Sequence, residues 1–168
     1  LTKPDAWYGD PQWTPDGQSL IVHANRTVDR ESVRFSINKN YDLWQIGLAT
    51  GELRQLTFGA GPEVSPRVAP DGKRLVCLSS PRKGPHADVF NFALVSLDAN
   101  PPTTRILFDH HAPAPERSDS PPATKNSSAP NPPHPCPGFP LPDPCWDDHE
   151  HLIYTGNEGV ETRTVLLD

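Results

Sequence analysis

The chain contains the segment Pro11-Gln12-Trp13-Thr14-Pro15-Asp16-Gly17-Gln18-Ser19-Leu20-Ile21-Val22 twice, the second time as Ser65-Pro66-Arg67-Val68-Ala69-Pro70-Asp71-Gly72-Lys73-Arg74-Leu75-Val76-Cys77. The Pro-Asp-Gly triplets begin at Pro15 and Pro70, which gives a period of 55 residues. In such a triplet proline presets one dihedral, aspartate bonds to nearby backbone, and glycine supplies the left-handed conformation that closes a hairpin. A short apolar run follows each triplet, as in a buried strand. The segment therefore predicts a repeated β-hairpin.

A third, degraded copy follows as Pro144-Cys145-Trp146-Asp147-Asp148-His149-Glu150-His151-Leu152-Ile153-Tyr154. Trp146 stands where the earlier copies have Trp13 and Val68, and the turn triplet is lost. Further strand-like runs follow the hairpins, in 41–57, 88–108 and 162–167. Four short strands per unit, repeated in tandem, are typical of β-propeller blades. A β-sandwich also strings short strands together, but it does not predict the same turn at the same place in each unit.

The predicted fold is all-β: a partial propeller of about three four-stranded blades, the third incomplete. The blades are predicted at about 11–58, 65–109 and 144–168. A proline-rich insertion at about 110–140 separates the last two, and we expect it to be disordered because it cannot bury enough apolar surface to offset its ordering entropy. A closed ring needs roughly twice this length. We therefore expect a fragment, or a chain that associates through its open blade edges.

Composition excludes several classes of protein. The net charge is −6 and the 15 basic residues are scattered, so nucleic-acid binding is not expected. No apolar run is long enough to cross a membrane. The three cysteines, Cys77, Cys136 and Cys145, are an odd number and too few for a disulfide scaffold, which favours a reducing, cytoplasmic setting. Glycosylation sequons at Asn25 and Asn126 would matter only in a secreted protein.

Two histidine-rich segments carry residue types that bind metals. Asp147-Asp148-His149-Glu150-His151 would place both histidines on one face if extended, and Asp109-His110-His111 begins the insertion. Solvated polar segments are the simpler interpretation, the first being a hairpin turn. Cys136 and Cys145 would pair only in an oxidising setting, and a zinc site would need two more ligands, so free thiols are expected. No catalytic, cofactor-binding or metal-binding residue is assigned, and no cofactor is expected.

Aromatic and basic side chains suggest two further kinds of surface. Aromatic residues at strand spacing would suit base stacking or, more simply in an acidic chain, packing between blades. They are Trp13, Trp44, Trp146, Phe90 and Phe92. Arg34, Arg67 and Arg74 would meet an acidic peptide terminus if they lined the central channel, but nothing in the sequence places them there. Cys77 is expected in the core as a small apolar side chain.

Four longer segments carry a more specific pattern than the repeat. They are Ser65–Leu78, Ser80-Pro81-Arg82-Lys83-Gly84-Pro85-His86, Pro140-Leu141-Pro142-Asp143-Pro144-Cys145-Trp146 and Ser32-Val33-Arg34-Phe35-Ser36-Ile37-Asn38-Lys39-Asn40. Together they resemble the amino-terminal propeller of eukaryotic acylaminoacyl-peptidase, an acylpeptide hydrolase of the prolyl-oligopeptidase class. The resemblance covers most of 11–168, with the proline-rich insertion as the main departure.

The resemblance implies an oligopeptidase that removes an N-acylated amino acid from short peptides. In such enzymes Ser, Asp and His lie on an α/β-hydrolase domain, and the propeller caps that site and restricts substrate size. This chain contains no Gly-x-Ser-x-Gly nucleophile elbow. We therefore expect it to be inactive alone and to gate a hydrolase domain of the same parent protein. The alternative is a stand-alone TolB-like or WD-like propeller that binds protein partners.

Overall fold

The computed structural model describes residues 6–25, 41–81, 90–107, 144–148, 151–158 and 161–167. These residues form strands and turns, and none of them is helical. The strands are β1 Trp7–Trp13, β2 Ser19–Asn25, β3 Asp42–Gly47, β4 Leu53–Gln55, β5 Glu63–Val68, β6 Arg74–Ser79, β7 Asn91–Ser96, β8 Thr103–Ile106, β9 Cys145–Trp146, β10 Leu152–Glu158 and β11 Glu161–Leu167. In this described part of the chain there is no helix that could cross a membrane.

The strands form three antiparallel sheets in which each strand pairs with the next in the chain. The orders are β1-β2-β3-β4, β5-β6-β7-β8 and β9-β10-β11, and we call these sheets the first, second and third blades. The leading strands lie side by side, β1 against β5 and β5 against β9. Sheets that meet along their leading strands have the arrangement of propeller blades. The predicted partial propeller is therefore confirmed, with three strands described in its third blade.

The two Pro-Asp-Gly turns are closed in the same way. In the first, the Gly17 N–H donates to the Thr14 carbonyl (2.8 Å) and the Asp16 carboxylate accepts from the Gln18 N–H (3.0 Å). The second turn repeats both bonds 55 residues later, each at 2.9 Å. Both glycines have positive φ, 67° and 70°, a conformation that costs glycine little. The sequence repeat is therefore a repeat of backbone geometry.

A β-bulge in each leading strand extends the repeat upstream of the turns. Pairing shifts between Gly9 and Gln12 and again between Val64 and Arg67. Asp10 and Ser65, 55 residues apart, have φ of 48° and 54° at these bulges. A proline follows each of them, at positions 11 and 66, and proline in a sheet is confined to edge strands and bulges because it cannot donate a ladder hydrogen bond.

The first bulge reverses which face the end of β1 presents. Trp7 pairs with Asn25 and Trp13 pairs with Leu20, and these partners lie on opposite faces of β2 because they are five residues apart. Without the bulge, two tryptophans six residues apart would share a face. Trp7 and Trp13 therefore point to opposite sides of the first blade.

Two apolar clusters hold the blades together. The first lies between the first two blades and is formed by Ile21, Leu43, Leu56, Leu75, Cys77, Ala93 and Val95, all fully buried. The second joins the second blade to the third and is formed by Val76, Leu78, Phe92, Leu152 and Tyr154. The Phe92 and Tyr154 rings meet edge to face at 4.6 Å. The second blade is consequently covered on both faces, and each large side chain buried there contributes about 1.5–3 kcal/mol.

Candidate functional site

A row of buried polar residues lies at one end of the interface between the first and second blades. Glu63 begins β5, Ser79 ends β6 and Asn91 begins β7, and their register makes them direct cross-strand neighbours. All three are buried, Glu63 with an exposed fraction of 2%. Asn25, at the end of β2, is also buried. The strands thus change from an apolar core to a polar layer where they reach the end of the blades opposite the Pro-Asp-Gly turns.

The Glu63 carboxyl is the acidic group of this row, and it is almost fully shielded from solvent. Its Oε1 accepts a hydrogen bond from the Ser79 hydroxyl at 3.4 Å, and the Thr57 hydroxyl and Gly59 N–H also donate to the carboxyl. Within the described residues its Oε2 has no hydrogen-bond partner. Burial, followed by the negative charge of Asp42, raises the pKa of Glu63 to about 7. The carboxyl therefore carries a proton for part of the time at neutral pH.

Glycine at position 59 makes room for this carboxyl. A Cβ on Gly59 would overlap Glu63 Oε1. The sequence analysis assigned no role to Glu63. The available signal was the pair of glycines at 59 and 61 just before an acid that opens a strand, but that pattern does not by itself indicate burial.

Two further titratable groups lie on the first blade near this end. Burial raises the pKa of Asp42 to about 6. Burial lowers the pKa of His23, partly offset by the negative charge of Asp10, which favours the neutral imidazole. The His23 ring meets the Tyr41 ring edge to face at 5.3 Å. The sequence analysis missed both groups, because the burial of a side chain near the end of a strand depends on the surrounding fold.

The chemistry of this polar layer is structural. Ser79 Oγ donates directly to the Glu63 carboxyl, without the intervening histidine that activates a serine nucleophile. Among the described residues no group of three or more His, Cys, Asp or Glu has the geometry to hold a metal ion. A carboxyl with an exposed fraction of 2% is also out of reach of a dissolved substrate. The layer is suited to orienting two blades against each other.

Polar contacts also join the leading strands. Arg67 Nη1 lies 3.0 Å from Asp10 Oδ2, which ties β5 to β1. The Trp146 indole N–H donates to the Arg67 carbonyl at 2.9 Å, which ties β9 to β5. The Arg74 guanidinium lies over the Trp146 ring, 5.8 Å from its centroid. Of the arginines considered for the channel, Arg67 is on a leading strand, Arg74 packs between blades, and Arg34 lies outside the described residues.

Asp147, Asp148 and His151 lie between the paired strands of the third hairpin. The chain reverses between Trp146 and Leu152, which pair with each other. The Asp148 carboxylate accepts from the His151 N–H at 2.8 Å and lies 2.7 Å from His151 Nδ1. Asp148 thus closes this turn as Asp16 closes the first. His149 and Glu150 lie outside the described residues, as does the Asp109-His110-His111 segment.

The predicted cysteine and sequon positions fall in different surroundings. Cys77 is fully buried, which raises the pKa of its thiol, whereas Cys145 is exposed on β9, and both are free thiols. Asn25 has an exposed fraction of 2%, which leaves no access for a glycan in the folded chain. Cys136 and Asn126 lie outside the described residues, together with the whole predicted insertion at 110–140.

Two of the aromatic residues, Trp13 and Trp44, lie on the face of the first blade that turns away from the second blade. Phe92 and Trp146 pack between blades, with Phe90 against the same cluster, and Trp44 is partly buried. Trp13, however, has an exposed fraction of 62%. The exposure follows from the face of the sheet on which Trp13 lies. Trp13 pairs with Leu20, whereas the interface with the second blade is built from the opposite face of β2, which carries Ile21. Trp13 therefore turns away from the second blade.

Comparison with known proteins relates this chain to a peptidase by sequence. No family model matches it. It is 31% identical to dipeptidyl-peptidase 5 of Porphyromonas gingivalis over 88 residues, 52% of this chain and 12% of that protein. It is 33% identical to dipeptidyl-peptidase 5 of Porphyromonas endodontalis over 94 residues, 55% of this chain and 13% of that protein. The chain thus matches about an eighth of the length of these relatives.

Solved structures show the same fold at low sequence identity. TolB from Acinetobacter baumannii matches 97% of this chain, and 29% of its own, with a TM-score of 0.56 and 16% identity. The β-propeller domain of the Trilobed protease from Pyrococcus furiosus matches all of this chain, and 41% of its own, with a TM-score of 0.53 and 11% identity. The chain is a partial β-propeller. In sequence it is weakly related to a peptidase, dipeptidyl-peptidase 5.

Proposed function

We propose that this chain is a non-catalytic propeller segment of a serine oligopeptidase of the acylaminoacyl-peptidase type. In the parent protein it would gate the access of short N-acylated peptides to a hydrolase domain. The observation that carries the proposal is the 31–33% identity to dipeptidyl-peptidase 5 over about half of this chain. The sequence resemblance to acylaminoacyl-peptidase supplies the finer assignment of substrate class.

The structure of the blades supports a gating role. A gate has to keep its shape, and the second blade is packed on both faces by apolar clusters. The leading strands that border the centre of a propeller carry the partly exposed ion pair of Arg67 and Asp10. Such charges suit a passage for peptides, whose termini and amide groups are polar. We also propose a cytoplasmic setting, which the two free thiols support.

Activity of the intact parent protein tests the proposal. We expect the parent to release acetyl-alanine from an acetylated tripeptide, to lose that activity to a serine-directed phosphonate, and to encode a Gly-x-Ser-x-Gly elbow downstream of this segment. Release of dipeptides from a peptide with a free amino terminus would instead assign it the activity named for its relatives. Phosphonate-sensitive turnover by the 168-residue chain alone would contradict the non-catalytic role.

A stand-alone binding module is the second candidate. The match to TolB over 97% of this chain favours it, because TolB has the same fold and is not named as a peptidase. A parent gene that encodes further blades and no nucleophile elbow would support this candidate. It would at the same time exclude the peptidase proposal.

A further inference from the structure

Two buried oxygen atoms of the second blade lack a hydrogen-bond donor among the described residues. They are Glu63 Oε2 and Asn91 Oδ1. The two residues have exposed fractions of 2% and 3%, so bulk water does not reach them freely. Buried polar groups in folded proteins are almost always hydrogen-bonded. Each of these oxygens therefore requires a donor.

Ser79 lies between the two residues in one cross-strand row. Glu63 pairs with Ser79 across β5 and β6, and Ser79 pairs with Asn91 across β6 and β7. Directly paired residues share a face of the sheet. Here it is the face packed on the first blade, because Cys77 and Ala93, two residues further along β6 and β7, belong to the cluster between those blades.

The contact with Ser79 brings the carboxyl towards Asn91. The Ser79 hydroxyl donates to Glu63 Oε1 at 3.4 Å, so the carboxyl lies over β6, one strand away from β7. Neighbouring strands are about 4.8 Å apart. An amide oxygen that extends from β7 on the same face is therefore within reach of the second carboxyl oxygen.

The donors around Glu63 leave its second oxygen for the proton. The Ser79 hydroxyl, the Thr57 hydroxyl and the Gly59 N–H donate to the carboxyl, and none of them donates to Oε2. A protonated carboxyl has one O–H donor. Burial, followed by Asp42, raises the pKa of Glu63 to about 7, so the proton is present at neutral and lower pH.

Other titratable side chains surround this contact on the strands packed against it. The described ones are Asp10 on β1, His23 on β2, Tyr41 and Asp42 at the start of β3, Arg67 on β5 and Cys77 on β6. Arg67 is the cation among them, and it lies 3.0 Å from Asp10. Asp42 is the group whose charge acts on Glu63, and it favours the protonated carboxyl.

We propose that protonated Glu63 donates from Oε2 to Asn91 Oδ1, and that Asn91 positions this proton at the interface between the first and second blades. One proton then satisfies both oxygens. Its loss leaves two acceptors side by side in a buried layer. The interface thus contains a proton-dependent contact, and the inference does not depend on the proposed function.

A double-mutant cycle at two pH values tests the inference on the 168-residue chain. We expect Asn91→Leu to lower the folding equilibrium constant about tenfold at pH 4.5, where Glu63 is protonated, and less than about threefold at pH 8. In a Glu63→Gln background the side-chain amide can donate at any pH. There Asn91→Leu should cost the same at both pH values. Urea unfolding followed by circular dichroism measures all four chains.

Asn25→Leu is the matched control, because Asn25 is a buried asparagine of the same layer on the facing blade. Its cost should not change between pH 4.5 and pH 8. An equal cost of Asn91→Leu at both pH values would overturn the proposal. That result is expected if Asn91 only packs, or if its amide turns over to donate to the ionised carboxylate.

A crystal structure of the unmutated chain at pH 4.5 provides a test that requires no variant. We expect Glu63 Oε2 and Asn91 Oδ1 to lie about 2.5–3.0 Å apart, the range of an O–H···O hydrogen bond. A water molecule bridging the two oxygens, or a separation too long for a direct bond, would overturn the proposal.

Discussion

Glu63 makes the first blade interface sensitive to pH. Its pKa is raised to about 7 in the folded chain, mainly by burial and then by Asp42, whereas the unfolded side chain titrates near 4.5. The folded state therefore holds the proton more tightly. This contribution to stability is fully present below about pH 4.5 and is lost as the pH rises towards 7.

We expect Glu63→Gln to remove this part of the pH dependence. At pH 8 the variant should be more stable than the wild type by about 1–3 kcal/mol, since each tenfold change in proton affinity is worth about 1.4 kcal/mol. At pH 4.5 the two should be nearly equal. Urea unfolding at pH 4.5, 6 and 8 measures the difference. Glu52→Gln, at an exposed turn, is the control, and a variant that follows the wild type at all three pH values would contradict the burial of this charge.

The left-handed conformation of Gly17 was predictable from the Pro-Asp-Gly triplet, and a substitution can measure its contribution to stability. Its φ is 67°, and a Cβ built on it meets no atom within 4 Å, so only backbone strain opposes a substitution. Gly17→Ala should therefore lower the free energy of unfolding by about 1 kcal/mol. Gly17→Asn should cost less, because asparagine tolerates the left-handed region. Equal urea midpoints for all three chains would show that the turn does not require this conformation.

At the scale of the strand, Trp146 is the contact that joins β9 to the second blade. Trp146→Phe keeps a ring but removes the N–H, so the Arg67 carbonyl loses its 2.9 Å partner. We expect a loss of about 1 kcal/mol. Trp146→Ala also removes the apolar contact and the Arg74 stacking, and should cost about 2–3 kcal/mol.

Denaturant unfolding followed by circular dichroism measures both changes. Trp7→Phe is the control, because Trp7 is exposed and should cost almost nothing. If Trp146→Phe also cost nothing, the indole hydrogen bond would not hold the third blade in place.

Strand order was predictable from the sequence, whereas strand irregularity was not. The triplets at 15–17 and 70–72 have a fixed turn chemistry, and β2, β6 and β10 follow from short apolar runs. The bulges at Asp10 and Ser65 are marked locally only by the proline that follows each of them, and an edge strand would carry the same residue, since a register shift depends on how two strands pair. That shift decides the face of Trp13, which therefore does not pack between the described blades as the sequence analysis expected.

For the whole molecule, the tandem repeat was sufficient to predict the propeller. Each repeat unit forms one sheet, and sheets with the same sequence pattern pack against their neighbours through the same strands. The polar layer around Glu63 was not predictable, because its burial is created by two blades that meet across the 37 residues of chain between Asn25 and Glu63. The protonation state of a side chain buried between two blades depends on both sheets.

The covering of the second blade on both sides has a consequence for how the chain opens. Amide protons of β6 can exchange with deuterium only after a neighbouring sheet has detached, whereas those of β1 lie at a border. Under native conditions the order of protection should therefore run from the middle outwards. We therefore expect the first or the third blade to detach before the second blade opens.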